Sequence, residues 1–183
     1  IAGSGGEYVH FNGPESVTGS GLEELAASES FQLLMRRIYE QGTGRKGPEQ
    51  KFYQVLRCLS GETGQKNSLI FHYDSYVVTA LIPIRIPTSG RSGDLVMLPN
   101  TRRVRSTYLR NAVDKALLDN PLTQAVLRRR VQSQSSPLTR IKMQPGNLYF
   151  FWGYRSVHTN EPCDPDKVRA TALFHYANPH QAN

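Results

Sequence analysis

Cysteine is scarce, with only Cys58 and Cys163 among 183 residues. Two thiols make at most one bridge, which argues against a disulfide-stapled secreted scaffold, and a chain of this length can bury a core without such support. Cys58 falls in a segment expected to be helical and Cys163 in a loop rich in Pro and Asp, so both are expected to stay reduced in a cytoplasmic protein. No apolar run approaches the roughly 18 residues that a membrane-spanning helix needs. No signal peptide, internal repeat or linker-like low-complexity tract is visible, and an opening Ile1 in place of Met implies a trimmed start. Acidic residues are thin in one region: between Thr101 and Lys142 ten Lys and Arg face only Asp114 and Asp119. The net charge of +7 therefore belongs to that region and not to the whole surface.

The length suits a single domain, 1–183, with three expected parts: a helical N-terminal part over 1–66, a strand-rich core over 67–176, and a basic helical insert over 101–138. Tyr8, Val9, His10 and Phe11 suit an edge strand. Ser20 and Glu23 have capping-box spacing ahead of Leu22 and Leu25, and Phe31, Leu34, Met35 and Ile38 recur at helical spacing until Gly42, Gly44 and Gly47. Pro48 and the spacing of Phe52, Val55, Leu56 and Leu59 predict a further helix ending at Gly61. From Ser68 the composition turns β-branched and aromatic, which predicts strands over 68–74, 77–84 and 94–98. Leu109, Val113 and Leu117, then Leu122, Val126 and Leu127 beyond Pro121, predict two helices in the insert, and strands return over 139–143 and 147–176.

Within this frame His72 and Asp74 stand two residues apart, so on a strand both side chains point to one face. If His158 meets them, two imidazoles and one carboxylate would hold a divalent metal from one side and leave the other open. An H-x-D triplet alone is weak, because a buried His and Asp pair is often structural. Strands on either side of a helical insert, with helices first, favour an α+β (mixed α/β) chain built on an antiparallel jelly-roll, or double-stranded β-helix, barrel over a βαβ alternation.

The ordered set Phe71-His72-Tyr73-Asp74, Gly93-Asp94-Leu95, Pro145-Gly146-Asn147, His158 and Arg169-Ala170-Thr171 resembles the 2-oxoglutarate- and Fe(II)-dependent dioxygenase superfamily. The resemblance covers roughly 68–176. It implies that His72, Asp74 and His158 are catalytic iron ligands, and that Arg169, eleven residues after His158, pairs with the distal carboxylate of 2-oxoglutarate while Thr171 donates to it. It further implies Fe(II) as cofactor, 2-oxoglutarate as cosubstrate, O2 as oxidant, and release of succinate and CO2. Asp74 fills the acidic position, which favours hydroxylation over halogenation. The arginine strand carries no second arginine, unlike nucleic-acid demethylases of the superfamily, and the anchors of the JmjC group are not evident.

Each residue also has a plainer reading. Arg169 can be a surface arginine at a strand start, His175 is a rival ligand on the face of Arg169 and Thr171, and His10 and His180 are expected to be solvated. Trp152 and Tyr154 are the substrate-contact candidates, although aromatics in a final strand more often serve the core. The expected function is hydroxylation of a small molecule or amino-acid side chain, with the basic insert favouring an anionic substrate. The alternative is a binding module whose arginines grip nucleic acid or an acidic partner on a silent barrel. A cupin-type metal barrel without 2-oxoglutarate is a third option. No membrane partner is expected.

Overall fold

The computed structural model describes residues 8–105, 107–133 and 137–180. The Gly-rich opening 1–7, Ser106 and residues 134–136 of the Ser- and Gln-rich loop lie outside them. Eight strands form two antiparallel sheets. The larger has the order β1-β2-β8-β3-β6, from β1 (Tyr8–Asn12), β2 (Tyr53–Leu59), β8 (Arg169–Tyr176), β3 (Val78–Arg85) and β6 (Tyr149–Phe151). The smaller has the order β5-β4-β7, from β5 (Thr139–Ile141), β4 (Leu95–Leu98) and β7 (Val157–Asn160). The fold is thus mixed α and β, with antiparallel sheets. No helix among the described residues is long and apolar enough to cross a membrane.

Strand alternation assigns the faces. On β8, Ala172, Phe174 and Tyr176 look outward to α2 (Glu29–Thr43), where Phe31, Met35 and Tyr39 lie one turn apart and fill the outer core with α1 (Gly21–Ala27) beside them. The intervening residues Arg169, Thr171, Leu173 and His175 look inward. There Leu173, Val55 and Leu81 meet Leu95, Met97 and Met143 from the other sheet. Because β8 is covered on both sides, it reads as a nearly continuous buried run.

The helix expected over Phe52 to Leu59 is a strand. β2 pairs along its length with β8 and, from Val55 to Leu59, with β1 on its other edge. Its apolar residues serve both faces, Leu56 toward the helices and Val55 toward the other sheet, so they fall by coincidence at helical spacing. Cys58 is accordingly on a strand, and both cysteines are free. A short helix, α3 (Gly61–Lys66), follows where an end was expected. The capping box expected at α1 does not form. Glu23 accepts from the Gly19 N–H at 2.7 Å, while the Ser20 hydroxyl donates back to the Val17 carbonyl.

The segment 68–74, expected as a strand, belongs to none of the named strands and is joined to β7 by a single bridge between His72 and His158. It is held instead by the insert, α4 (Tyr108–Asp119) and α5 (Pro121–Gln132). The buried Gln124 amide accepts from the Phe71 N–H at 3.0 Å and donates to the Phe71 carbonyl at 2.8 Å, in place of a neighbouring strand. Arg128 donates to the Leu69 carbonyl and Lys115 to the Ser75 hydroxyl. The apolar residues that marked the spacing of these helices mostly face outward, with Leu109 74% and Leu122 78% exposed, and it is Leu118 and Leu127 that pack on Phe71 and Val157.

The insert's charge is partly internal. Arg102 is buried between the rings of Tyr73 and Tyr154 and donates to the Tyr154 carbonyl, Asp114 and Asn111. Arg105 also pairs with Asp114, and Arg140 pairs with Glu161. The hydrogen bond from Arg105 holds the Asp114 carboxyl below its usual range against desolvation, and Arg102 adds to the effect. A depressed carboxyl stabilises the fold above its unfolded pKa and loses that contribution as pH falls through the folded one. Asp114→Asn, which leaves the buried Arg102 short of an anion, is expected to cost about 1–3 kcal/mol at pH 7. In urea melts across pH, the gap to wild type should shrink as pH drops below about 4.

Candidate metal and dicarboxylate site

Between the sheets, ligand atoms of His72, Asp74 and His158 lie within 4.8 Å of one another, the one such His, Cys, Asp and Glu cluster among the described residues. His158 is within β7, and the backbones of His72 and His158 exchange two hydrogen bonds of 3.0 and 3.1 Å. That bridge sets the two rings side by side, with centroids 4.4 Å apart. Asp74 Oδ1 stands 3.9 Å from His72 Nε2 and 3.5 Å from His158 Nε2. With residues 71 and 73 turned to the insert, His72 and Asp74 turn to the cavity, so the expected alternation holds without a regular strand.

The tautomers suit a metal. Each ring Nδ1 lies 3.0 Å from a backbone carbonyl, Ile70 for His72 and Ser156 for His158. An N–H donated there leaves the Nε2 lone pair directed at Asp74 and the cavity. Asp74 Oδ2 accepts from the Thr79 hydroxyl at 2.6 Å, and that hydroxyl also meets His175 Nδ1 at 2.9 Å. His175, the rival ligand, therefore braces the far oxygen of the carboxylate through Thr79. A Cβ on Gly153 would overlap Asp74 Oδ2, so a glycine is needed for the carboxylate to sit where it does.

The electrostatics separate the three groups. Desolvation, reinforced by His158, pulls the His72 pKa down to about 4. Burial opposes charge on both Asp74 and His158, but each favours the charged form of the other, so Asp74 is held well below the carboxylate range and His158 is raised. Two imidazoles and an ionised carboxylate are the donor set that suits a divalent first-row metal with open positions.

Deeper in the cavity lies Arg169, 1% exposed and not the surface arginine of the plainer reading. Its Nη2 donates to Asn160 Oδ1 at 3.1 Å, while Nε and Nη1 are buried with no acceptor among the described residues. Burial and the neighbouring Arg57 charge lower its pKa to about 10. Gly93, at φ +75°, lets the arginine lie against the backbone, since a Cβ there would meet Arg169 Cδ at 2.6 Å. Thr171 lines the same cavity. An unpaired buried guanidinium fork fits a carboxylate.

Trp152 and Tyr154, the expected substrate contacts, belong instead to the layer packed near α2, outside the lining of this cavity. The Tyr154 hydroxyl is 2.9 Å from His180 Nε2, so His180 is held and not simply solvated. The lining includes Leu81, Leu95, Phe151 and Leu173, together with Arg57, which sequence reasoning missed because β2 was taken for a helix.

No protein-family model matches this chain, and no curated protein matches it. Solved structures do. A prolyl-4-hydroxylase of Pseudomonas putida is 12% identical with a TM-score of 0.52, over 94% of this chain and 69% of that one. Prolyl 4-hydroxylases from Phytophthora capsici give 11% and 0.56, over 94% of this chain and 49% of that one. The non-heme alpha ketoglutarate dependent epimerase SnoN from nogalamycin biosynthesis gives 16% and 0.55, over 99% and 69%. The chain thus spans from about half to about two thirds of the length of these proteins. At such identities the likeness is one of fold: the chain has the fold of 2-oxoglutarate- and Fe(II)-dependent oxygenases, and His72, Asp74 and His158 fit their H-x-D…H pattern.

Gly153→Ala is expected to displace the Asp74 carboxylate and weaken Mn(II) binding by about 10-fold or more. Calorimetric titration with Mn(II) checks this, with an unchanged far-ultraviolet circular dichroism spectrum as the control for folding.

Proposed function

We propose that the protein is an Fe(II)- and 2-oxoglutarate-dependent dioxygenase, a hydroxylase of a small molecule or an amino-acid side chain that uses O2 and releases succinate and CO2. The observation that carries this is the meeting in one cavity of the His72, Asp74 and His158 cluster with a buried, half-unpaired Arg169. We further infer that the two sheets are the halves of a jelly-roll barrel within a single oxygenase-like domain, with 101–138 as its inserted helical element.

Bound iron supplies the activation of O2 that is coupled to oxidative decarboxylation of 2-oxoglutarate. The protein's own groups do the rest. His72 and His158 present Nε2 because their Nδ1 protons are engaged by Ile70 and Ser156. Asp74 is kept ionised and oriented by Thr79. Arg169 takes the distal carboxylate of the cosubstrate with its free donors, and Thr171 contributes a hydroxyl from two residues along the same strand face. Leu81, Leu95 and Leu173 give that carboxylate a dry surround, in which a charge-assisted bond is strong. The remaining positive charge of the insert, including the exposed run Arg128, Arg129 and Arg130, favours an anionic substrate.

The binding-module alternative has less support. Arg102, Arg105 and Arg140 are engaged by Asp114 and Glu161, which reduces the charge available to a polyanion, and a scaffold role gives no reason for a buried arginine with two acceptor-free nitrogens beside the His72, Asp74 and His158 cluster.

Purified protein supplied with Fe(II), ascorbate, O2 and 2-oxoglutarate is expected to release succinate slowly even without its organic substrate, and His72→Ala should abolish the release. Absence of both succinate and 2-oxoglutarate binding from the iron-loaded wild type would overturn the proposal, and salt-sensitive polyanion binding unaffected by His72→Ala would then favour the alternative.

A further inference from the structure

Arg57 belongs to no motif, yet it shares the cavity with the metal cluster. It stands on β2 between Val55 and Leu59, which both face inward, and its register partner on β8 is Thr171, whereas Leu59 is opposite Arg169. The inner face of β8 runs from Arg169 through Thr171 and Leu173 to His175, and His175 meets Thr79 beside Asp74. Moving from Arg169 toward the metal cluster therefore passes the level of Arg57, two strand residues or about 7 Å along. Arg57 lines the same cavity as His72, Asp74, His158, Arg169 and Thr171.

Arg57 Nε is buried without an acceptor, as are Arg169 Nε and Nη1, and neither arginine is in an ion pair among the described residues. Among the lining residues Asp74 is the one carboxylate, and it belongs to the metal cluster. A buried guanidinium, a half-buried one and a divalent metal against one carboxylate leave an excess of three positive charges around the cavity. Charge of that size calls for an anionic ligand with more than one negative group.

We propose that Arg57 is a second carboxylate receptor, which binds the keto-acid carboxylate of 2-oxoglutarate at the metal end while Arg169 binds the distal one. This role presupposes the oxygenase activity proposed for the site. It makes the pocket selective for a dianion at both ends and gives β2 a direct part in cosubstrate binding.

The test is an anaerobic titration of the Fe(II)-loaded protein, following the visible metal-to-ligand charge-transfer band. Two ligands are compared: 2-oxoglutarate, and 2-oxovalerate, which keeps the keto-acid end and lacks the distal carboxylate. Arg57→Gln is expected to weaken both ligands by a similar factor, about 10- to 100-fold, as loss of a charged hydrogen bond implies. Arg169→Gln should weaken 2-oxoglutarate and leave 2-oxovalerate unchanged. Arg57→Lys, which keeps the charge, should recover part of the affinity for both ligands and separates loss of contact from loss of fold. The proposal is overturned if Arg57→Gln spares both ligands, or if it weakens 2-oxoglutarate alone, which would move Arg57 to the distal end. If the wild type itself gives no band with either ligand, the oxygenase activity fails along with it, an outcome distinct from a defect confined to the variant.

Discussion

The site depends on one backbone contact, the paired hydrogen bonds between His72 and His158. They join a segment that belongs to no named strand to β7, across 86 residues of sequence. Without them two imidazoles would have no fixed relation. With them, Asp74 is carried into place two residues on, where the Gly153 carbonyl accepts its backbone N–H and the Thr79 hydroxyl holds its carboxylate. The segment's other edge is closed by Gln124, a side chain that imitates a neighbouring strand. The helical insert is thus part of the scaffold of the metal cluster, whatever it also contributes to substrate choice.

Charge is the second constraint. The inner face of the larger sheet carries two arginines from neighbouring strands, Arg169 buried and Arg57 half-buried, and the carboxylate that shares their cavity already faces two histidines. Natural interiors rarely leave such donors unpaired, because each costs more free energy unmade than it returns when made. Such a charge balance invites an anion, and in the proposed reading a carboxylate at each end of a short chain would satisfy both arginines and complete a metal's coordination. Fold likeness alone cannot supply that step, since one fold hosts many functions. The particular side chains in the cavity supply it.

Much of this was legible in the sequence, for identifiable reasons. His72 and Asp74 stand out by spacing, because residues two apart on extended chain share a face, whereas His158 and Arg169 are read through the resemblance of the whole ordered motif set. Strand β3 and the paired helices α1 with α2 and α4 with α5 followed from composition and period. β2 did not, because a strand buried on both faces has no period of two, and Val55, Leu56 and Leu59, with Phe52 just before the strand, matched a helix by chance. That error hid Arg57, which as a strand residue between Val55 and Leu59 would have stood out as a charge on an apolar face. Trp152 and Tyr154 follow the end of β6, in and beside a turn where strand alternation gives no guide, and they pack among the residues next to α2. The supporting roles of Gly153, Thr79 and Gln124 depend on contacts between distant segments, on which local pattern is silent.

The most direct measurement is a crystal structure of the protein grown anaerobically with Mn(II) and 2-oxoglutarate, with the metal located by its anomalous signal. The account predicts a single strong peak bounded by His72 Nε2, Asp74 and His158 Nε2, with the diacid running from that peak to Arg169. A peak elsewhere, or a diacid that leaves Arg169 without a carboxylate, would contradict it.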